Sequence, residues 1–209
     1  MKRHQVREVM AISPVIPVVV TPTAEAGVEI ARALLAGGIG VIEVTLRTAA
    51  GLDAIRAIGE HVPDICVGAG TVWTAAEAQN ASDAGAAFIV SPGISDAVGD
   101  RCAELDLAYL PGAQTVSEIA HHRRRGLDAV KLFPASVVGG PKAIKAYASV
   151  FPDLQFCPTG GVSSDNAPDY LALDCIPCVG GSWLVDKTAV AEGNWQAITD
   201  QASAAAKLG

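Results

Sequence analysis

Short apolar runs rich in Val and Ile alternate along the chain with Ala-rich stretches whose apolar positions recur at helical spacing. The runs predict eight strands, and a helix is expected after each of them. The strands are expected at residues 15–20, 41–45, 65–69, 88–91, 108–111, 129–133, 155–159 and 176–180. The helices are expected at residues 24–36, 52–61, 75–84, 95–105, 116–125, 142–150, 166–173 and 195–207.

Strands that alternate with helices pair in parallel through right-handed crossovers, because each helix carries the chain back across the sheet. Eight such units, of about 26 residues each, are the number that closes a (β/α)8 barrel of the TIM type. No Pro-, Gly- or Ser-rich linker divides the chain, so we predict a compact α/β barrel with residues 1–209 as a single domain. A doubly wound sheet would instead need a glycine-rich loop after the first strand, where the chain has Thr21-Pro22-Thr23.

The composition is typical of a parallel sheet covered by helices, and the net charge favours small molecules as binding partners. Half of the chain is hydrophobic but only 5% is aromatic, which is typical of parallel strands buried on both faces. The net charge of −7 argues against a nucleic-acid or anionic-membrane surface and leaves small molecules as the expected partners.

The sequence also predicts a cytoplasmic location. No apolar run reaches the roughly 18 residues of a spanning helix. Although residues 1–4 include basic side chains, Glu8, Pro14 and Pro17 interrupt any signal peptide. The odd count of five Cys favours a reducing compartment over a disulfide framework.

Lys131 is the first candidate for chemistry, because it lies in the middle of the apolar run at residues 129–133. An ammonium group is costly to bury, so a lysine in such a strand must be paired or neutral. A neutral amine in this setting is a nucleophile toward carbonyl groups. The alternatives are a lysine that extends to solvent from a strand end, or one half of a buried ion pair.

Glu43 raises the same energetic problem in the strand at residues 41–45. Strand alternation places Glu43, Thr45 and Arg47 on one face, provided that the strand stays regular that far. In the barrel interior Glu43 would meet Lys131 and act as an acid or base beside a carbonyl; the alternative is a purely structural Lys–Glu pair. Arg47, at the strand end, suits bidentate binding of a substrate carboxylate.

Two glycine pairs follow the last two predicted strands: Gly160-Gly161 after Thr159, and Gly180-Gly181 before Ser182. In barrels of this type, loops at these positions bind phosphate through backbone N–H groups. Each pair alone also fits a tight turn. Two pairs in adjacent loops favour a phosphate site, which requires little basic charge and is therefore compatible with an acidic chain.

The remaining reactive side chains fit structural roles better than chemical ones. The spacing of Cys175 and Cys178 resembles a metal or redox motif, but it falls on a predicted buried strand. Inert buried thiols are therefore expected, and no metal site. His121 and His122 are expected to be exposed on a helix surface.

Two segments resemble the signature sequences of the 2-keto-3-deoxy-6-phosphogluconate (KDPG) aldolase family, also called 4-hydroxy-2-oxoglutarate aldolases. These segments are residues 38–47 (GIGVIEVTLR) and 126–139 (GLDAVKLFPASVVG). The resemblance extends from about residue 15 to residue 195, with supporting segments at 67–72 (VGAGTV), 90–93 (VSPG), 110–112 (LPG), 156–161 (FCPTGG) and 180–184 (GGSWL).

This resemblance implies a class I (Schiff-base) aldolase, a lyase of the Entner–Doudoroff pathway. Its reaction would be reversible cleavage of KDPG to pyruvate and D-glyceraldehyde 3-phosphate, with side activity on 4-hydroxy-2-oxoglutarate. The resemblance also implies a (β/α)8 barrel that assembles as a homotrimer and uses no metal or other cofactor.

By position, the resemblance implies that Lys131 forms the imine with the keto acid and that Glu43 is the general acid and base. The other implied site residues are Arg47 and Thr71 at the pyruvate carboxylate, Pro92 and Phe133 as pocket walls, Thr159 in stereochemical control, and Gly160, Gly161, Gly181 and Ser182 at the phosphate.

Two departures from the family pattern concern the aldehyde half of the substrate. Gln114 stands where the family usually has a small residue, which bears on substrate breadth. The first strand lacks a basic residue at positions 20–21, where some relatives supply one to the phosphate. Two other functions stay open: a phosphate-binding isomerase or synthase with Lys131 as an electrostatic clamp, and a catalytically silent sugar-phosphate sensor.

Overall fold

The computed structural model describes residues 5–208, with side chains from Val6 onward, so the basic start at residues 1–4 lies outside the described residues. The strands are β1 (Val15–Val19), β2 (Val41–Thr45), β3 (Cys66–Gly70), β4 (Phe88–Val90), β5 (Ala108–Leu110), β6 (Gly112–Ala113), β7 (Ala129–Leu132), β8 (Gln155–Pro158) and β9 (Val179–Gly181). The helices are α1 (Gln5–Met10), α2 (Ala24–Ala36), α3 (Gly51–His61), α4 (Ala75–Asp83), α5 (Asp96–Glu104), α6 (Val116–Arg124), α7 (Gly140–Val150), α8 (Ala167–Leu171), α9 (Lys187–Glu192) and α10 (Trp195–Ala205).

The predicted alternation of strands and helices is confirmed, with three differences. The eighth strand, expected at residues 176–180, is β9 and begins only at Val179. The fifth strand, expected at residues 108–111, ends at Leu110 as β5, and a further short strand, β6, follows Pro111, which has no N–H to donate to a neighbouring strand. Its carbonyl still accepts a hydrogen bond from the Lys131 backbone N–H at 2.8 Å. Helices α1 and α9 were not expected from the hydrophobic pattern.

Ser and Thr residues start several of the helices that follow strands. Thr23, Thr74, Ser95 and Thr115 are the N-caps of α2, α4, α5 and α6, and each side-chain oxygen accepts a hydrogen bond from a backbone N–H three residues later. These caps allow a helix to begin within a few residues of the preceding strand. The connections at the carboxyl ends of β1, β3, β4 and β6 are therefore short.

All strand pairs are parallel and form two sheets. One sheet has six strands in the order β5-β4-β3-β2-β1-β9, and the other has three in the order β6-β7-β8. The consecutive order from β5 to β1 lacks the reversal that characterises a doubly wound sheet. The sheets adjoin at two places, because β6 follows β5 after one residue and because Thr159 forms a parallel bridge to Gly180.

Side chains of the strands alternate between two apolar clusters. Val15 and Ile42, among others, pack with the helices in the larger cluster. Val41 and Ala129 belong to a smaller cluster in the interior of the fold. Because side chains two positions apart share a face, residues 43 and 131 point into the same interior, one step further along β2 and β7.

Helix α1 contributes to the interior cluster with Val6, Val9 and Met10. These side chains pack with residues at the start of the strands, such as Val41 and Phe88, so α1 covers the amino ends of the strands. Helix α1 leaves the carboxyl ends uncovered, the edge of a parallel sheet at which α/β folds place their binding sites. Within residues 5–208, no helix combines the length and apolar character that crossing a membrane would require.

Candidate active site

Lys131 and Glu43 meet in the interior of the fold. The Lys131 Nζ lies 3.2 Å from Oε1 and 3.3 Å from Oε2 of Glu43, and both residues are at least 95% buried. Lys131 comes from β7 and Glu43 from β2, strands that belong to different sheets. The prediction that these two side chains face one another is confirmed: the amine and the carboxylate are in contact, and both are buried.

A glycine makes room for the Glu43 carboxylate. Gly70 ends the neighbouring strand β3, and a Cβ at this position would lie only 2.1 Å from Oε1 of Glu43. The carboxylate therefore occupies the space that any other residue at position 70 would fill.

The Lys131 amine also lies near an aromatic ring. Its Nζ is 5.7 Å from the centre of the Phe133 ring, within the range of a cation–π contact.

Arg47 and Thr71 lie together at the carboxyl ends of β2 and β3. The Arg47 Nε donates a hydrogen bond to Oγ1 of Thr71 at 3.1 Å. Strand β2 ends at Thr45, so the regular alternation expected as far as Arg47 stops two residues earlier. Arg47 is exposed, and its terminal nitrogens have no hydrogen-bond partner in the part of the chain that the structure describes. The guanidinium can therefore bind an anion.

The backbone at Thr71 is strained. Its φ of 63° lies in the left-handed region, which a β-branched residue rarely adopts. Such strain persists only where the surrounding structure enforces it, and it clusters at ligand-binding sites. The conformation places the Thr71 hydroxyl beside Arg47.

Pro92 and Phe133 flank the strand that carries Lys131. Both are partly buried. A Cβ on Gly112 would lie 2.2 Å from the Pro92 carbonyl carbon, and Gly112 pairs in register with Lys131. The structure thus brings Pro92 close to the backbone next to the lysine, where a wall of a small pocket was expected.

The two glycine loops lie side by side, as expected from their positions after the last two strands. The Thr159–Gly180 bridge joins their starts, and Thr159 is buried. Gly160 and Gly161 have φ values of 91° and 73°, which only glycine adopts readily. A Cβ on Gly161 would collide with the Ser136 hydroxyl at 2.0 Å, so the chain passes very close to the segment after β7.

Gly181 and Ser182 lie in the second loop, at the end of β9. A Cβ on Gly181 would lie 1.7 Å from the Trp183 ring, which folds back over the glycine. Ser182 is exposed. The helices after the two loops begin only at Ala167 and Lys187, so the loops do not run directly into a helix amino end.

The expectation that His122 is exposed is wrong. His122 is 98% buried, and its Nε2 lies 2.9 Å from the Gly112 carbonyl oxygen, to which a ring N–H donates. Burial lowers the pKa of His122 below its ordinary value, more than the bond to Gly112 raises it. His121 is partly exposed beside Asp96, with Nε2 2.7 Å from Oδ1. The buried histidine thus anchors β6, the strand next to Lys131.

We predict that His122 makes the stability of the fold depend on pH. Because the folded state holds the ring neutral, this contribution is complete above the unfolded pKa of about 6.5 and is lost as pH falls below it. His122→Gln keeps an N–H donor for Gly112 but does not titrate. Between pH 7.5 and 5.5 the melting temperature of the native chain should fall more than that of His122→Gln. The extra fall should be about 2–4 °C for each kcal/mol by which protonation of His122 lowers the free energy of unfolding. His61→Gln, at an exposed histidine, should retain the native slope; equal slopes for all three proteins would contradict the prediction.

The thiols match their expected structural character only in part. All five Cys are free; Cys178 is buried, whereas Cys175 is partly exposed, and both precede β9, so their expected place on a strand is wrong. Cys157, which the sequence did not single out, pairs in register with Lys131, and its Sγ lies 3.8 Å from that of Cys178. Among the residues that the structure describes, no group of three or more His, Cys, Asp or Glu side chains is arranged to hold a metal ion.

Gln114 is held through its backbone. Its N–H donates to the Glu118 carboxylate at 2.7 Å, and its carbonyl accepts from the Tyr147 hydroxyl at 3.2 Å. The residue itself is exposed. Its effect on substrate breadth stays a prediction.

The chain is similar over nearly its whole length to one group of aldolases. A family model described as KDPG and KHG aldolase matches residues 6–201. The chain is 45% identical over 199 residues to the 2-dehydro-3-deoxy-phosphogluconate aldolase of Pseudoalteromonas atlantica, which covers 95% of this chain and 93% of that relative.

Solved aldolase structures share the fold as well. A KDPG aldolase from Legionella pneumophila, with pyruvate captured at low pH as a covalent carbinolamine intermediate, has a TM-score of 0.92 and 41% identity, covering 95% of this chain and 97% of that one. The KDPG aldolase of Zymomonas mobilis ZM4 with 3-phosphoglycerate has the same score and identity, covering 99% and 97% of the two chains. This chain belongs to the KDPG and KHG aldolase family.

Proposed function

We propose that this chain is a class I aldolase, a lyase that reversibly cleaves KDPG to pyruvate and D-glyceraldehyde 3-phosphate in the Entner–Doudoroff pathway. The observation that carries the proposal is the buried contact between the Lys131 amine and the Glu43 carboxylate. Related proteins that carry the name of this activity, one of them with pyruvate bound covalently as a carbinolamine, support it.

The proposed reaction begins at the C2 ketone of KDPG. The unprotonated Lys131 amine attacks C2 to give a carbinolamine, and its hydroxyl takes a proton from Glu43 and leaves as water, which gives a protonated imine and an ionised Glu43. The imine withdraws electrons, so the C3–C4 bond breaks as Glu43, directly or through a water, takes the proton of the C4 hydroxyl. Glyceraldehyde 3-phosphate leaves, C3 of the enamine takes up a proton, and water releases pyruvate from Lys131.

The remaining site residues are proposed to hold the two ends of the substrate. Arg47 and Thr71 would bind the carboxylate through the exposed guanidinium and the threonine hydroxyl, which already lie 3.1 Å apart. Pro92 and Phe133 would enclose the three-carbon unit. In the adjoining loops, Thr159 would control stereochemistry, and Gly160, Gly161, Gly181 and Ser182 would bind the phosphate.

The fold is proposed to be a closed (β/α)8 barrel that forms one domain. The division of the fifth strand at Pro111 and the bridge from Thr159 to Gly180 support closure, since together they connect the two sheets edge to edge. Location in the cytoplasm stays a prediction that rests on the five free cysteines.

The homotrimer that the family resemblance implies stays a proposal, and exposed apolar side chains at neighbouring loops are compatible with a contact between chains. Trp73 and Ile94 follow β3 and β4 and are exposed, and the Ser95 hydroxyl donates to the Trp73 carbonyl at 3.0 Å. A contact between chains would cover these two side chains. Light scattering should give three times the chain mass, and a monomer mass would contradict the proposal.

The aldolase proposal is tested by turnover and by trapping. The purified chain should release pyruvate from KDPG, measured as oxidation of NADH by lactate dehydrogenase. Incubation with pyruvate and borohydride should add a reduced pyruvate group to Lys131, located by peptide mass spectrometry. Neither signal is expected of an isomerase or synthase that uses Lys131 as a clamp, whereas a silent sensor would give the adduct without turnover.

The name of the matching family also supports a second substrate, 4-hydroxy-2-oxoglutarate. It has the same 2-oxo-4-hydroxy acid unit on which Lys131 and Glu43 would act, but it has no phosphate. A comparison of kcat/KM for the two substrates would set their relative importance.

A further inference from the structure

A cavity of about 540 Å³ opens at the carboxyl ends of β1 and β9. Val18 in its lining pairs in register with Glu43 on the neighbouring strand. Ser182 lies in the lining at the end of β9. The cavity thus lies between the end of β1, the second glycine loop and α9, one strand away from Glu43.

Two charged side chains line this cavity, Asp186 and Lys187. The Asp186 carboxylate caps α9: its Oδ1 accepts hydrogen bonds from the backbone N–H groups of Thr188 and Ala189 at 2.9 and 3.0 Å. Lys187 is exposed, and no carboxylate within residues 5–208 forms an ion pair with it. The cavity therefore contains one ammonium group that has no partner in the described part of the chain.

The strand register relates the cavity to the reacting pair. Pro17 pairs with Gly181 and Val18 with Glu43, so Ser182 lies opposite Val18 and level with Glu43. Two strand spacings of about 4.8 Å separate β2 from β9, so the Ser182 backbone lies about 10 Å across the sheet from that of Glu43. A sugar acid bound to the Lys131 amine, which contacts Glu43, would extend across this distance.

We propose that Lys187 supplies the positive charge that binds the terminal phosphate of the substrate, which the first strand does not supply at positions 20–21. This inference rests on the proposed aldolase function. An ammonium group is a mobile point charge with three donors, so it suits a phosphate at the solvent edge of a cavity. The Ser182 hydroxyl and the glycine N–H groups contribute hydrogen bonds but no charge. Lys187 thus determines specificity for phosphorylated substrates without taking part in bond cleavage.

Removal of the charge should separate the two substrates. In Lys187→Gln, KM for KDPG should rise roughly tenfold, with kcat within about twofold of the native value. For 4-hydroxy-2-oxoglutarate, which has no phosphate, kcat/KM should stay within about twofold. Lys187→Arg should restore most of the affinity for KDPG. Lys207→Gln removes the same charge at an exposed position that does not line the cavity, and it should behave like the native chain.

A binding measurement tests Lys187 without turnover. Inorganic phosphate titrated by calorimetry should bind Lys187→Gln roughly tenfold more weakly than the native chain or Lys207→Gln. Trapping of pyruvate on Lys131 should be equal in all three proteins. An unchanged phosphate affinity would overturn the role of Lys187 and leave the aldolase function standing. Failure of trapping in the native chain would overturn that function, and the phosphate titration would still decide on Lys187.

Discussion

Replacement of Lys131 by alanine is expected to lower kcat/KM for KDPG by at least about four orders of magnitude and to abolish the adduct formed with pyruvate and borohydride. The covalent step requires an amine in the interior of the fold. The side chains around position 131 are the Glu43 carboxylate, the Cys157 thiol and the Phe133 ring, and none of them forms an imine. The loss should therefore be nearly complete rather than graded.

A second variant distinguishes an imine from an electrostatic clamp. Lys131→Arg keeps a positive charge next to Glu43, but a guanidinium is not a nucleophile toward ketones. An aldolase should lose turnover and trapping in this variant as fully as in Lys131→Ala. A barrel enzyme that needs only the charge would keep a measurable fraction of its activity.

Two controls accompany these variants: a test that they fold, and the replacement of a lysine outside the site. Removal of Lys131 leaves the Glu43 carboxylate buried without its partner, which is destabilising, so circular dichroism must show that both variants retain the native helix content. Lys145→Ala, at an exposed position on α7, should retain full turnover and trapping. Substantial KDPG cleavage by folded Lys131→Ala would contradict the assignment of Lys131 as the nucleophile.

The alternation of apolar residues predicts which side chains face the interior. Glu43 follows Val41 by two positions, and Lys131 follows Ala129 by two, so both charged groups lie on the face of a buried apolar neighbour. Helix α1 lacked such a signal because it is six residues long, and a helix of that length is stable only through packing. Its contacts with the strand ends are not readable from its own sequence.

The parts of the site that the sequence did not predict depend on register between elements. Gly70 makes room for Glu43 only because β2 and β3 are aligned as they are, whereas in the sequence a glycine at a strand end fits an ordinary turn equally well. Lys187 resembled any exposed lysine until the cavity placed it beyond Ser182. His122 was expected on the surface because its neighbours are polar, whereas contact with the Gly112 carbonyl is a tertiary feature.

Replacement of Glu43 by glutamine is expected to separate imine formation from bond cleavage. The amide has nearly the volume of the carboxylate, so it fits the space above Gly70, and its oxygen can still accept a hydrogen bond from Lys131. Because the amide cannot take up the C4 hydroxyl proton, kcat for KDPG should fall by about 10²–10⁴-fold. Trapping of pyruvate should persist, although more slowly. Glu60→Gln, at an exposed position on α3, should leave both signals unchanged.

Proton exchange at pyruvate shows whether Glu43 moves protons or only positions Lys131. A native aldolase should exchange the methyl protons of pyruvate with deuterated solvent through the enamine, a reaction that NMR follows without any aldehyde. If Glu43 is the acid and base, Glu43→Gln should form the imine but exchange these protons at least about 100-fold more slowly. Glu43→Asp should lie between the two, since it keeps the carboxylate but displaces it by about one bond length, and small displacements are costly in catalysis. If Glu43→Gln instead cleaves KDPG and exchanges these protons at the native rate, the carboxylate has only a structural role, and another group must move the proton.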